Sequence, residues 1–430
     1  MSNRESKDLV DNIRINIEKY WALNNKIEFD SLSPRINLHE PTFGPDEVMS
    51  MVEVMLSTQV TMGKKVLEFE DDLSNYFDIS DAVTNNSGSS ANLLAISALV
   101  NKMTPNNLNP GDEVIVPALS WSTTIWPLIQ NGLIPVFVDI DPDTLNISPN
   151  EIEKAISDKT RAVMIVPVYG NPCDMDAIVE ICQRKELQLI EDNCESLGGY
   201  YDDKPLGSFG RVSTYSFYFS HHITTLEGGV SLTNDFELAE IMRIIRAHGW
   251  VREAKDKEKY LKMYPEIDHK FLFVNLGYNL RLTEIGGAMG SVQLPKLKEF
   301  VNSRRNSANF LLNELSKYVS FMNFQKEMPK GRHSWFGFPM VINEEAPFLA
   351  SDLRQHLEDN GVETRPIIAG NIALQPAVKM YPHRIHGDLS NSSHVMTNGL
   401  AVACHQSLDE ESLQHIVATI DSFMKLKGII

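Results

Sequence analysis

Ala162-Val-Met-Ile-Val-Pro167, an amphipathic run from Asp176 to Lys185, then Leu187-Gln-Leu-Ile190: this stretch decides the fold. The two short apolar runs read as buried strands, and the segment between them has helical spacing. Strand, helix, strand is the unit of a parallel sheet, because parallel neighbours need a long crossover to return the chain. The alternation extends outward in both directions. Upstream lie Ala82-Val-Thr84, the helical Ser90 to Leu99, Glu113-Val-Ile-Val-Pro117 and Pro135-Val-Phe-Val138, and downstream lie the runs Val212 to Phe217 and Val230 to Leu232. These seven runs predict an α/β domain with a mainly parallel seven-stranded sheet covered on both faces. Ligands of such sheets sit at the carboxyl ends of the strands.

The outer parts of the chain fill in the organisation. Leu9, Ile13, Ile17, Tyr20 and Trp21 recur at helical spacing, so residues 1–35 read as a helical extension whose apolar face needs a partner. A helix from Asp46 to Leu56 precedes the sheet, and one long helical stretch runs from Thr283 through Lys317. Beyond it, strands at Ser334 to Ile342 and Val362 to Arg365 and helices at Ala350 to Asp359 and Glu410 to Met424 suggest a smaller unit. At 430 residues the chain exceeds what one core usually holds, which agrees with a large domain at 36–310 and a small one at 311–430.

Composition excludes several classes of function. A formal net charge of −18 argues against nucleic acid or an anionic membrane as partner, since both need a basic face. No apolar run is long enough to span a bilayer, and the polar start Met1 to Asp8 has no signal-peptide core. Cys173, Cys182, Cys194 and Cys404 show no metal-ligand rhythm and read as free thiols of a cytoplasmic protein.

The chemistry should lie just after the strands. Asn86-Ser-Gly-Ser-Ser90 follows the first strand and opens a helix, so small residues, hydroxyls and a helix N-terminus meet there as a phosphate cradle or as a plain serine cap. It has neither Walker nor dinucleotide spacing. Trp121, after the strand ending at Pro117, can offer a flat face or only pack. Asp192, at the end of another strand, needs a cation if buried, and a protonated pyridine nitrogen would serve. Ser216-Phe-Tyr-Phe-Ser-His-His222 puts a hydroxyl and two imidazoles at a fourth strand end. Together these describe a site for pyridoxal phosphate, a cofactor the protein positions and tunes.

Pro117-Ala-Leu-Ser-Trp-Ser-Thr-Thr124, Glu191-Asp-Asn-Cys-Glu-Ser196, Ser216-Phe-Tyr-Phe-Ser-His-His-Ile223, Arg246-Ala-His-Gly-Trp250, Gly277-Tyr-Asn-Leu-Arg281, Ser334-Trp-Phe-Gly-Phe338 and Arg365-Pro-Ile-Ile-Ala-Gly-Asn371 form a specific set. With them the chain, from about Ile36 onward, resembles the DegT/DnrJ/EryC1 family of nucleotide-sugar enzymes, of the fold-type I, aspartate-aminotransferase-like class. The resemblance implies that Gly88, Ser89 and Ser216 hold the cofactor phosphate, that Trp121 lies against the ring, and that Glu195 lies near the ring oxygen while Asp192 takes the ring nitrogen. It implies an obligatory homodimer in which Asn279 reaches the neighbouring subunit's phosphate. Arg252, Arg281 and Arg365 are candidates for binding the glutamate carboxylate or the substrate diphosphate.

One position departs from most of the family. Five residues after Ser216, where the family's lysine forms a Schiff base, stands His221. An imidazole forms no stable Schiff base, so the cofactor is expected to be held without a covalent bond. An imidazole moves protons near neutral pH, with an ordinary pKa of about 6.5. The resemblance therefore implies a C3-dehydratase. In it pyridoxamine phosphate joins the C4 ketone of a nucleotide-linked 4-keto-6-deoxy sugar, His221 moves the proton, the C3 hydroxyl leaves, and L-glutamate restores the amine. GDP is the expected nucleotide and CDP the alternative. Related dehydrases with the same histidine use an iron–sulfur cluster and a reductase. Here Cys194 matches one of their ligands, but Trp250 to Asn279 has no cysteine, so neither cluster nor reductase is expected and Cys194 should be a small buried residue. The competing readings are an aminotransferase using another lysine, Lys204 being nearest, and an inactive cofactor-binding homologue.

Overall fold

The computed structural model describes residues 3–24 and 29–429; residues 1–2 and 25–28 of the expected 1–35 extension lie outside the described residues. The main sheet contains Asp81–Asn85 (β1), Glu113–Pro117 (β2), Ile134–Val138 (β3), Thr160–Ile165 (β4), Gln188–Asp192 (β5), Val212–Ser216 (β6) and Gly229–Thr233 (β7). Their spatial order is β1-β7-β6-β5-β4-β2-β3. Only β7 runs against its neighbours, β1 and β6; the remaining pairs are parallel. Both faces are covered, which is why β2 reads as the unbroken run Glu-Val-Ile-Val-Pro, every residue buried, instead of an alternating pattern. On one face Leu94, Ile96, Leu128 and Ile245 pack on Val114 and Phe137, and on the other Ile152, Ile178 and Ile181 pack on Val163 and Ile165.

The smaller unit is built on Met322–Phe324 (β8), Phe338–Ile342 (β9) and Gly399–Val402 (β11), an antiparallel sheet against which helices Leu297–Leu315, Ala350–Asp359 and Glu410–Leu426 pack. Arg384–Ile385 (β10) leaves that unit and joins β3 of the main sheet as a two-residue eighth strand. A further apolar cluster bridges the two units, with Leu119, Val168 and Tyr169 from one and Phe336, Ile367 and Ile368 from the other.

Several expectations are corrected here. The segment 362–365 is no strand: Val362 and Arg365 make single bridges, to Ile36 and Ala401. The strand expected from Ser334 begins only at Phe338, because Trp335 turns the chain with a φ of 51°. The long helix breaks at Leu294–Lys296, a 3-10 turn containing Pro295, whose missing N–H interrupts the ladder between Glu284–Gln293 and Leu297–Leu315.

Helix α1 (Asn3–Asn24) lies on α2 (Pro45–Ser57). Arg14 pairs with Asp46 at 3.5 Å and Glu53 at 3.6 Å, and Trp21 packs on Phe43. Leu9, Tyr20 and Leu23 stay exposed. Among the described residues no helix is long and apolar enough to cross a membrane.

Candidate active site

The site begins where β1 ends. After Lys64–Phe77 (α3) and β1, the chain turns through Asn86 and Ser87 into Gly88–Leu99 (α4). Ser87 caps this helix, its hydroxyl accepting from the Ser90 N–H at 3.0 Å. The Gly88 and Ser89 N–H groups then have no partner within the helix and point past its end. A Cβ on Gly88 would stand 2.4 Å from Ser216 Cβ, so only glycine lets the helix start against the end of β6. On the opposite side a Cβ on Gly229 would stand 2.5 Å from the Ser87 carbonyl oxygen, so β7 also begins in contact with this cradle. Ser216 is buried beside it, its hydroxyl accepting from the Tyr218 N–H at 3.3 Å.

At the end of β5 two carboxylates point to opposite sides of the strand. Glu191 accepts the N–H groups of Gly207, Phe209 and Gly210 and fixes the loop entering β6. Asp192 turns toward the cradle. Its Oδ2 accepts from Asn92 Nδ2 at 2.8 Å and Thr124 Oγ1 at 2.7 Å, and its Oδ1 accepts from the Cys194 N–H at 3.3 Å. Asn92 is itself held by the Thr214 hydroxyl at 2.6 Å. Asp192 is 4 % exposed and, among the described residues, has neutral donors and no cation. A buried carboxylate so held is oriented to pair with a cationic group.

Glu195 lies one turn further on. Its Oε2 accepts from the Tyr169 N–H at 3.1 Å, and Arg365 stands 3.8 Å from Oε1. Burial pushes this carboxyl up to about 7 against the opposing pull of Arg365. The Arg365 guanidinium also lies over the rings of Tyr169 and Phe336, at 5.6 Å and 5.5 Å.

His221 follows β6 in a turn closed by its N–H donating to the Tyr218 carbonyl at 3.0 Å. Its half-buried ring packs 5.0 Å from that of Phe336, and its Nδ1 is buried with no hydrogen-bond partner. Burial, with Arg365 and Arg304 nearby, pushes its pKa down to about 3. The ring thus departs from the ordinary imidazole value of about 6.5. At neutral pH the ring is uncharged and free to accept a proton, as a weaker base and, once protonated, a stronger acid than an ordinary imidazole. His222 points away and ties the turn to the smaller unit, its Nε2 lying 3.1 Å from the Ser334 carbonyl oxygen.

These residues face one cavity of about 330 Å³, lined by Gly88, Ser89, Trp121, Asp192, Glu195, Ser216, His221 and Arg365. Trp121 is 53 % exposed at its mouth. Cys194 also lines the cavity, half-buried, so it is not the enclosed residue expected; Cys173, Cys182 and Cys404 are the buried thiols. Asn279, Arg252 and Arg281 lie outside the cavity. Asn279 bridges to Ala247 and accepts from Arg281 Nε at 3.0 Å, while Arg252 lies over Trp250 at 5.2 Å.

Sequence reasoning passed over Asn92 and Thr124, which orient Asp192, and Phe336 and Glu227, which line the cavity. Asn92 left a signal, as a polar side chain in a helix that is otherwise apolar and buried. The whole arrangement fits a flat aromatic cation carrying a phosphate arm. The cradle would suit the arm, Asp192 the ring cation, and Trp121 one ring face.

The sequence profile of the DegT/DnrJ/EryC1/StrS aminotransferase family matches residues 41–421. GDP-4-keto-6-deoxy-D-mannose 3-dehydratase of Yersinia pseudotuberculosis is 39% identical over 382 residues, 88% of this chain and 96% of the relative. dTDP-4-dehydro-2,6-dideoxy-D-glucose 3-dehydratase of Saccharopolyspora spinosa is 35% identical over 428 residues, 97% of this chain and 92% of the relative. Among solved structures, a GDP-4-keto-6-deoxymannose-3-dehydratase with a trapped PLP-glutamate geminal diamine superposes with a TM-score of 0.84 at 36% identity, covering 90% of this chain and 100% of that one.

Proposed function

The chain belongs to the DegT/DnrJ/EryC1/StrS aminotransferase family, and from that premise we propose that it removes the C3 hydroxyl of a GDP-linked 4-keto-6-deoxy sugar instead of aminating the sugar. The observation that carries this reading is the wall of the cavity. His221 stands there, and among the described residues no lysine lines it. Lys204, the alternative amine, sits in an exposed two-residue strand outside the cavity. The similar relatives are named as 3-dehydratases, one of them for a GDP-linked sugar.

Pyridoxamine phosphate, when bound, supplies an amine that condenses with the C4 ketone and a ring that stores the electrons released when a neighbouring C–H bond breaks. The chain's residues divide the remaining work. Gly88, Ser89 and Ser216 hold the phosphate, Trp121 covers the ring, and Asp192, kept in place by Asn92 and Thr124, holds the ring nitrogen's proton. Glu195 lies near the ring oxygen. Neutral His221 accepts the proton from the carbon that bears the amine, and then, as imidazolium, gives a proton to the departing C3 hydroxyl. With no lysine to tether the cofactor, water releases the product as ketone and ammonia. Glutamate then returns the amine and leaves as 2-oxoglutarate, Arg365 being the cation in reach of its carboxylate.

In this reading the cofactor-binding unit spans 36–310 and the smaller unit 311–430; each sheet has its own core in support, with Ile36 and Ala308 packing into the smaller sheet's core and Ile372, Val378 and Leu389 into that of the main sheet. A homodimer completes the site. The exposed apolar groups Trp121 and Tyr218 of the cavity lining, with exposed Leu226 next in sequence to the lining residue Glu227, support an apposed second copy, and Asn279, Arg252 and Arg281 would serve the partner's site. The four free thiols suit the cytoplasm. Borohydride reduction of the cofactor-loaded protein and peptide mapping test the reading. No pyridoxyl-lysine is expected, and a pyridoxyl group on any lysine would sink it.

A further inference from the structure

A histidine that moves protons is usually oriented by a hydrogen bond from its second ring nitrogen to a carboxylate or carbonyl. No carboxylate orients His221: the one backbone group acting on its ring is the Cys194 carbonyl, and its buried Nδ1 makes no hydrogen bond of ordinary geometry. What fixes the plane of the ring is an aromatic neighbour. Phe336 lies 5.0 Å away at an interplanar angle of 31°, and Tyr218 touches the imidazole only edge-on at 6.5 Å.

Phe336 is itself held from several sides. Tyr169 stacks on it at 6.0 Å and 26°, the Arg365 guanidinium lies over it at 5.5 Å, and His39 packs against it at 5.6 Å. Its carbonyl accepts from buried Arg304 at 3.2 Å, and the same guanidinium bonds the carbonyls of Trp335 and Cys404. The ring is 4 % exposed and forms part of the cavity wall. The backbone around it adopts the left-handed region at three buried non-glycine residues, Tyr169, Trp335 and Ile368, an arrangement that persists only where the surroundings over-determine it.

We propose that Phe336 is a positioning residue for the proton transfer, a ring that takes the orienting role a carboxylate plays for other catalytic histidines. This rests on the assignment of His221 as the proton-moving residue. Because Phe336 belongs to the smaller unit, His221 points correctly only while that unit is docked on the sheet.

The test uses the full chain with Phe336→Leu, which keeps apolar bulk and loses the plane, and Phe336→Tyr, which keeps the plane. The first readout needs no cofactor: the Cε1–H resonance of His221, assigned with His221→Asn, should be displaced by the ring current of Phe336. It should move toward its ordinary position in the leucine variant and stay in the tyrosine variant. The second is kinetic. Phe336→Leu should lower kcat tenfold or more, with KM for the sugar nucleotide and the affinity for pyridoxal phosphate within threefold of the parent, while Phe336→Tyr restores kcat. An unmoved resonance, or a folded leucine variant with parental kcat, overturns the proposal. So does a loss confined to KM or cofactor affinity. If the leucine variant does not fold, Phe336→Met takes its place on the same criteria. If His221→Asn dehydrates like the parent, it is the assignment of His221 that fails, whatever the resonance does.

Discussion

At the scale of residues, the site separates two acid–base tasks by environment. Asp192 receives neutral donors and, among the described residues, no cation, so in the proposed reading it is set to hold a ring nitrogen; burial, with Arg365 and Arg304 nearby, keeps His221 uncharged at neutral pH. His221→Asn should therefore lower kcat by roughly 10²–10⁴, the usual worth of a positioned acid–base group, while spectrophotometric titration shows cofactor affinity within threefold of the parent. Thr124→Val removes a donor from a buried carboxylate that has no compensating charge. It should cost about 1–3 kcal/mol in urea unfolding of the empty protein and weaken cofactor binding as Asp192 loses its orientation. Most of these residues were legible because strand ends carry them in short motifs. The lowered pKa of His221 was not, since its first cause is burial by the folded chain and the lesser ones, Arg365 and Arg304, lie far along the sequence.

At the scale of elements, the tightest constraint is the contact between the start of α4 and the end of β6. Gly88→Ala would force a methyl group into Ser216. Overpacking of this kind costs about 1–3 kcal/mol, and the displaced helix start should weaken pyridoxal phosphate binding at least tenfold, measured by absorbance titration. Unchanged affinity would mean that the cradle lies elsewhere. The sheet itself was readable because buried parallel strands are unbroken apolar runs, and each of the seven appears within about two residues of its expected place. The failures share a cause. Arg384–Ile385 becomes a strand only because β3 offers an edge, Val362 to Arg365 fails to become one because its neighbours supply single bridges, and Pro295 breaks a helix whose apolar periodicity continues through it. Each outcome depends on partners distant in sequence, which local pattern does not contain.

At the scale of the whole molecule, burial of histidines should govern the acid side of stability. His39 and His221 are held at about 3 and His405 at about 4, all below the unfolded value, so the unfolded chain binds more protons between these values and about 6.5. Stability from these groups is complete above that pH and is lost as pH falls. Glu195, raised to about 7, works in the opposite direction between its unfolded value and 7. His222 and His333 are lowered as well, and Glu191 is raised, all by burial; with five histidines against two carboxyls the urea midpoint should drop from pH 7 to pH 5, and His405→Gln should flatten the slope, whereas a midpoint that rises on acidification would contradict this balance. The proposed sharing of the site between subunits has its own check. His221→Asn and Asn279→Ala, each inactive alone, should on subunit exchange recover about a quarter of parental activity, as half the dimers then hold one intact site of two. The central claim, deoxygenation by an untethered cofactor with His221 moving the proton, meets its most direct test in the product. The full chain is incubated with pyridoxal phosphate, glutamate and GDP-4-keto-6-deoxymannose, and the sugar nucleotide is weighed by mass spectrometry. The account predicts a product lighter by one oxygen atom, with ammonia and 2-oxoglutarate released together; a product in which the ketone has become an amine, with no free ammonia, would contradict it.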